Sequence, residues 1–431
     1  MRARRYSMAK PSLSLLPLLL LAANSDASNV AGSLGAADVL ATAKTVNDYA
    51  LQQIVSAPNQ PAQGRGCQWT RSTYMVGLAE YYAATESVHS PDSQARSFLV
   101  AWGEAFQYQL CRAGPCTQWC GACAPTANLS LGRALGCGDN QLCGAVYMEL
   151  YRQGLDRPVP GSASTLHATA AQFDAEIALG KQADGSWHVI DITYMAMAPL
   201  SRLGALTGMQ KYFDKQWANW RSAMLEPPST SPVATAATGG LWNATDRLFH
   251  RDATKLGTTV YWGRGNGWAM LGLVDALRWG GAAATVKGGH ADPYRGRYLA
   301  VYQAFAARLM ELQGADGAWR SSLLQSDLFP TPETSATACF THGFAYGVNA
   351  GILEKSVFAP LVMKAWDFLT KVAMRHDTPG RLGYCQCPGA GPANASARFD
   401  SNSTTDYCVG MMLLASAEVA VMVGEGLELE E

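Results

Sequence analysis

"VYWGRGNGWAMLGL", residues 260–273, places four glycines, two tryptophans, a tyrosine and an arginine at the head of an apolar helical run. A glycine-rich turn before a helix could cradle a phosphate, which would make the chain an α/β nucleotide-binding protein. That reading needs a preceding strand and a lysine after the glycines, or a βαβ unit around them. "GRGNGW" has neither context, so the phosphate reading fails. The glycines then serve close backbone approach and a tight turn. Arg264 is the motif's only cation, and its planar fork suits a carboxylate. The plainer alternative is a structural ion pair with an acid of the surrounding wall.

Working outward, strand-like alternation is scarce and helical periodicity recurs. Val39, Ala43, Val46, Ala50 and Ile54 follow steps of three and four, the spacing of one helix face. The same reading predicts twelve helices, near 37–55, 70–86, 94–111, 141–154, 163–179, 191–206, 210–225, 265–278, 293–313, 335–350, 358–375 and 406–422. Glycine and proline mark the joints, as in "LEPP", "RQG" and "LTG". Nothing between them reads as an interdomain linker. Twelve helices in one array imply an all-α fold, six helical hairpins closed into an (α/α)6 barrel.

The residues a plain core would not need fall at regular places. Gln68 and Trp69 open the second helix, Asp139 and Asn140 the fourth, and "SWHVIDITYM" the sixth. "YWGRGNGW" opens the eighth, "PTPETSAT" the tenth and "NSTTDY" the last. Alternate helices of such a barrel form its inner ring and run the same way, so these N-termini converge on one mouth. Helix N-termini present unpaired N–H groups and positive dipole ends, a favourable place for an anion. Ordinary capping explains Ser335 and Thr404. It does not explain Trp69, Trp187, Trp262 and Trp268 at the same ends. Aromatic faces beside directional polar groups suit a sugar.

Bulk properties narrow the class. The 431 residues are 48% hydrophobic and 16% charged, the balance of a globular protein with a large core. Residues 1–27 run from a basic start through a short apolar stretch to small residues, the pattern of a secretory signal peptide, leaving 28–431 as one catalytic domain. No other apolar run approaches the length of a membrane span, so no membrane partner is expected after removal. Without that segment 29 basic residues face 33 acidic ones, a net charge of about −4. A mildly acidic chain is a poor partner for nucleic acid. Secretion also accommodates eleven cysteines. Six of them, Cys111, Cys116, Cys120, Cys123, Cys137 and Cys143, lie within an apparent insertion at about 111–143 that carries no histidine. It reads as disulfide-stapled rather than zinc-binding. Cys385, Cys387 and Cys408 are available to staple the C-terminal part, with Cys339 as the thiol left over. Asn128, Asn243, Asn394 and Asn402 stand in glycosylation sequons. The seven histidines include no close pair, so neither a metal nor another cofactor is expected.

Several motifs, in order, resemble one known family. "DGSWHVIDITYMAMAPLSRLGALTG" (184–208), "LFHRD" (248–252) and "YWGRGNGWAMLGLVDAL" (261–277) come first. "QGADGAWRSSLL" (313–324), "PETSATACFTHGFAYGVNAGIL" (332–353) and "DYCVGMMLLASAEV" (406–419) follow. Together they resemble the unsaturated rhamnogalacturonyl hydrolases of glycoside hydrolase family 105, and more distantly the unsaturated glucuronyl hydrolases of family 88. The resemblance covers about residues 37–422. It implies an α/α barrel that removes a Δ4,5-unsaturated uronic acid from the non-reducing end of lyase-generated oligosaccharides. A carboxylic acid protonates the vinyl ether at C4, and water adds at C5. Carried over by position, Asp191 matches the catalytic acid and base and Asp139 the second site aspartate. His250 matches a sugar-contacting histidine. Arg264 and Trp268 match residues around the uronate, and Trp69 an aromatic of the pocket wall. His188 is either a sugar contact or a surface histidine. Glu333 reads as a helix cap and stays outside the catalytic set. Ile192 and Thr193 depart from the family's small residue and leucine after the aspartate.

The implied function is therefore a secreted glycoside hydrolase acting on an oligosaccharide, its oligomeric state open. Two alternatives remain at this stage. A conventional inverting glycosidase on the same fold would use Asp191 and Asp139 as acid and base. A secreted carbohydrate-binding α/α protein would bind without turnover.

Overall fold

Each helical run read from the sequence forms a helix in the computed structural model, which describes residues 34–53, 67–110, 138–157, 161–178, 189–225, 240–252, 261–282, 289–388 and 399–424. In chain order these are α1 (Ala36–Gln53), α2 (Trp69–Ser87), α3 (Ser93–Ala105), α4 (Cys143–Arg152), α5 (Thr165–Ala178) and α6, in two pieces (Ile192–Met195 and Met197–Thr207). Then come α7 (Gln210–Trp220), α8 (Gly263–Trp279), α9 (Arg295–Glu311), α10 (Thr334–Asn349), α11 (Lys355–Phe368) and α12 (Asp406–Gly424). A 3-10 turn, Gly138–Asn140, precedes α4. One short hairpin pairs β1 (Trp242–Asn243) with β2 (Leu248–Phe249), in the register Trp242↔Phe249. The Cys-rich insertion lies outside the described residues except for its last part, where Cys143 is buried at the start of α4. The signal segment, Trp187, His188, Asn128 and Asn394 also lie outside them.

The even-numbered helices form a closed inner ring in which α2 packs on α4, α4 on α6, α6 on α8, α8 on α10, α10 on α12, and α12 back on α2. Odd-numbered helices lie outside, each against at least one of the neighbouring inner helices. The sequence explains the division. Inner helices such as α8 and α10 are buried on nearly every face, whereas α9 and α11 bury only one stripe. α12 corrects the expectation about apolar runs: it is long and apolar enough to cross a membrane, at a mean hydropathy of 1.8. It is instead an inner-ring helix whose apolar surface is covered by α2, α10 and α1.

Glycines set how closely the ring closes. A Cβ on Gly77 of α2 would stand 2.1 Å from the Gly410 carbonyl oxygen of α12, and one on Gly410 would stand 2.4 Å from that of Thr73. On the other side, a Cβ at Gly272 of α8 would stand 2.3 Å from the Thr193 carbonyl oxygen of α6. Backbones touch at both crossings, leaving no room for a side chain.

The two ends of the ring differ in charge chemistry. At the C-terminal ends of the inner helices, buried Arg202 of α6 lies 3.2 Å from Glu80 of α2 and 2.9 Å from Asp275 of α8. Arg278 of α8 reaches the same Glu80 at 3.3 Å and pairs closely with Glu418 of α12, which also accepts from Asn349 of α10 at 2.9 Å. Arginines near helix C-termini are favoured by the dipole, and here they tie the ring across its closed end. Removing one member strands opposite charges in low dielectric. Arg202→Met is expected to cost about 3 kcal/mol or more of unfolding free energy, read from the midpoint of equilibrium denaturation. A loss below about 1 kcal/mol would mean that the network contributes little.

Candidate active site

The opposite end gathers the N-termini of α2, α4, α6, α8, α10 and α12, and the sequence-derived residues fall there. "GRGNGW" is the first turn of α8 itself, starting two residues before the predicted boundary. Its glycines permit packing rather than a turn. A Cβ on Gly263 would meet the Arg320 carbonyl oxygen at 2.4 Å, and one on Gly265 would meet the Trp262 ring at 2.5 Å and Ile190 at 2.8 Å. The close approach was expected; the tight turn is replaced by a helix start.

Asp191 sits at the entry to α6. The helix breaks at Ala196 because Pro199 has no N–H to offer the Met195 carbonyl and its ring crowds that group. The first turn is thereby free to take its own direction, and it carries Asp191 into the mouth. Burial raises the proton affinity of the Asp191 carboxyl above the ordinary value, outweighing the attraction of Arg251 and Arg264. Its Oδ2 is buried and has no hydrogen-bond partner.

Asp139 arrives from the 3-10 turn before α4. That turn packs on the start of α6: a Cβ on Gly138 would stand 2.6 Å from Ile192 Cδ1. Burial, and then the like charge of Asp191, push the Asp139 carboxyl up to about 7. A carboxyl buried beside a second carboxylate holds its proton near neutrality.

Arg264 has the most unusual surroundings. It is 1% exposed, and among the described residues no acidic side chain pairs with it. Its Nη1 donates to the Gln386 carbonyl at 2.6 Å and its Nη2 to the Cys387 carbonyl at 3.2 Å. The guanidinium lies 4.7 Å from the Trp262 ring centroid and 5.2 Å from that of Tyr407, and its Nε has no hydrogen-bond partner. Among the described residues the structural ion pair is thus absent. Carbonyls and ring faces orient the cation without cancelling its charge.

Aromatic contacts continue this wall. Tyr407 lies 5.1 Å from Trp69, Trp69 meets Trp268 edge-on at 5.9 Å, and Trp268 stacks on Tyr194 at 5.7 Å. Trp69 is partly exposed at the mouth. Trp268 is wholly buried and packs edge-on against Trp69. Its indole N–H has no partner.

His250 is 4% exposed and stacks on Tyr261 at 4.8 Å. Burial lowers its proton affinity, only partly opposed by Asp246, so the ring is neutral at neutral pH. Neither ring nitrogen has a hydrogen-bond partner, which leaves one donor and one acceptor for a ligand hydroxyl. Asn266 of α8 fixes the segment before it, accepting from the Phe249 N–H at 2.9 Å and donating to the Phe249 carbonyl at 3.0 Å. Among the described residues no group of three His, Cys, Asp or Glu side chains is placed to hold a metal ion.

Sequence reasoning did not find the loop 383–387. Its Gln386 carbonyl accepts from both Arg264 and Tyr407, its side chain accepts from Trp262 Nε1 at 2.8 Å, and its N–H donates to Glu333 at 3.1 Å. Glu333 also caps α10, taking the Ser335 and Ala336 N–H groups at 3.2 and 2.7 Å. It is therefore a brace, and the cap is Glu333 rather than Ser335. At α12 the Cys408 N–H goes to Thr405 Oγ1, while Thr404 Oγ1 has no partner. A disulfide, Cys385–Cys408, ties the loop to α12; Cys339 is a buried thiol. The pair of cysteines around Gln386 was the one available sign. Arg251 and Asp252, beside His250, were also missed. The sequon residue Asn243 donates its amide to Asp246 in its own turn at 3.0 Å and to the distant Tyr261 hydroxyl at 2.8 Å.

Comparison with known proteins gives the family and the fold. The family model described as Glycosyl Hydrolase Family 88 matches residues 41–423. An unsaturated 3S-rhamnoglycuronyl hydrolase of Formosa agariphila is 30% identical over 54% of this chain and 57% of its own length. A protein of the same description from an Alteromonas species is 28% identical over 82% of this chain and 77% of its own. A solved structure, a glycosyl hydrolase family 88 protein from Bacteroides vulgatus, superposes with a TM-score of 0.68 at 24% identity, over 90% of this chain and all of the other. That likeness establishes the shared barrel.

Asp139 also makes stability pH-dependent. The folded protein keeps its proton up to about pH 7, while an unfolded chain releases it near 3.8. Native protein holds the extra proton between those limits, so this contribution to stability falls as pH rises through them. Asp139→Asn is expected to flatten the dependence of Tm on pH across that window. An unchanged slope would place Asp139 in solvent.

Proposed function

The chain belongs to glycosyl hydrolase family 88, and from that premise we propose that it removes a Δ4,5-unsaturated uronic acid from the non-reducing end of lyase-generated oligosaccharides. The observation that carries the reading is the meeting of Asp139 and Asp191 at one mouth, both with raised proton affinity. A proton donor working near neutrality needs that environment. Arg264, buried and in no ion pair among the described residues, supplies the attraction for the uronate carboxylate. His250 offers hydrogen bonds to sugar hydroxyls, and Trp69 a face for the ring.

The chemistry assigned to these groups balances with a single acid. Asp191, protonated, gives its proton to C4 of the vinyl ether as positive charge develops at C5 and the ring oxygen. Its carboxylate then takes a proton from water as that water's oxygen bonds to C5. The resulting hemiketal opens, releases the remaining sugar as its free hydroxyl, and leaves an open-chain keto acid. Asp139, held up to about 7 by burial and by the charge of Asp191, lies beside the acid as a further polar contact for the sugar. No protein nucleophile is required.

The relatives' description includes rhamnose, and we take rhamnose as the residue following the uronate. Export through an oxidising compartment completes the proposal, supported by the Cys385–Cys408 bond and the disulfide-bonded state of Cys67.

Purified protein incubated with lyase-generated rhamnose-containing oligosaccharides is expected to abolish the enol-carboxylate ultraviolet absorbance. Turnover of saturated uronides instead would favour a conventional inverting glycosidase, and binding without turnover a carbohydrate-binding protein. Asp191→Asn should retain fold and binding while losing at least about 100-fold in kcat; wild-type rates would remove Asp191 from the chemistry. Arg264→Met should act chiefly on KM, raising it about tenfold or more.

A further inference from the structure

Beside the acid runs a short segment that the reaction above leaves unused. β2 lays down Leu248 and Phe249, the His250 N–H donates to the Leu241 carbonyl at 2.8 Å, and Asn266 clamps Phe249 from both sides. The chain then turns toward α6. The Ile190 N–H donates to the Arg251 carbonyl at 2.9 Å, and Val189 bridges Asp252 in antiparallel fashion. Arg251 and Asp252 are therefore fixed through the backbone to the residues immediately before Asp191.

Their side chains are fixed as well. Arg251 Nη1 lies 2.6 Å from Asp252 Oδ2. The Arg251 guanidinium stands 5.8 Å from the centroid of the Trp262 ring, which also carries Arg264. Asp252 is 4% exposed, so water does little to screen it.

We propose that Arg251 and Asp252 are positioning residues of opposite sign that together set when Asp191 holds its proton. The proposal rests on the reading of Asp191 as the acid. Among the described residues, the charged groups facing Asp191 are Asp139 from the turn before α4, Arg251 and Asp252 from the segment after β2, and Arg264 from α8. After burial, Arg251 exerts the largest influence on the Asp191 carboxyl, ahead of Arg264, and favours the carboxylate; Asp252 opposes ionisation. Two guanidiniums acting unopposed would favour the carboxylate and spoil a proton donor. Asp252 trims the nearer one. Because Arg251 and Asp252 are adjacent and pinned to the same backbone ladder, the balance stays constant while substrate enters and leaves.

The test uses variants that push the same proton in opposite directions. Asp191 is titrated in the full-length protein by 13C NMR of its side-chain carboxyl carbon, assigned through Asp191→Asn, and kcat/KM is followed against pH on an unsaturated oligosaccharide. Arg251→Met is expected to move the Asp191 titration and the basic limb of kcat/KM upward by about 0.5–1 pH unit. Asp252→Asn should move both downward by a similar amount, and Arg251→Lys should stay near wild type. Thermal unfolding checks that each variant is folded. Shifts in the same direction for Arg251→Met and Asp252→Asn, or no shift in either, would overturn the proposal. The NMR titration requires no turnover, so an error in the substrate assignment remains separate from an error about this pair.

Discussion

The mouth of this barrel is organised around a buried guanidinium with which, among the described residues, no acidic side chain forms an ion pair. Arg264 enters from the first turn of α8 and is held by two backbone carbonyls and two aromatic rings. Neutral partners of this kind fix direction without cancelling charge. An uncompensated cation in a poorly hydrated place favours an anionic ligand strongly, because the alternative is an unpaired charge in low dielectric. The acid pair sits in the same mouth. Burial raises the proton affinity of both carboxyls, and the charge of Asp191 raises that of Asp139 further.

The barrel supports this arrangement by separating its charges. Arginines at the closed end meet Glu80, Asp275 and Glu418 in pairs that span the ring. At the mouth Arg251 pairs with Asp252, but Arg264 is held by carbonyls and ring faces instead. Glycine crossings at Gly77, Gly410 and Gly272 hold the inner helices at backbone contact, so the mouth can be lined by residues only partly satisfied by protein. The loop 383–387 completes the enclosure, since Gln386 alone connects α8, α10 and α12.

Much of this was legible in the sequence. Inner helices announce themselves by being apolar on nearly all faces, and the anomalous polar and aromatic residues recur at the start of every second helix. That pattern located the mouth with Asp139, Asp191, Arg264 and Trp69 in it. Other features depend on contacts that no local pattern encodes. Arg264 meets Gln386 across 122 residues, and a glutamine in a loop carries no signature beyond the cysteines beside it. Trp268 has the same spacing as a surface aromatic; only the stacking of Tyr194 beneath it decides that it is buried. Arg251 and Asp252 read as an ordinary adjacent ion pair until the bridge between Val189 and Asp252 brings them to the acid.

The most direct measurement compares two ligands differing only in charge. Calorimetric titration of the Asp191→Asn protein with an unsaturated uronyl disaccharide, and then with its methyl ester, isolates the interaction with Arg264. The account predicts that the free acid binds at least about tenfold more tightly. Equal affinity for the two would mean that the buried guanidinium does not meet the uronate, and the central claim would fail.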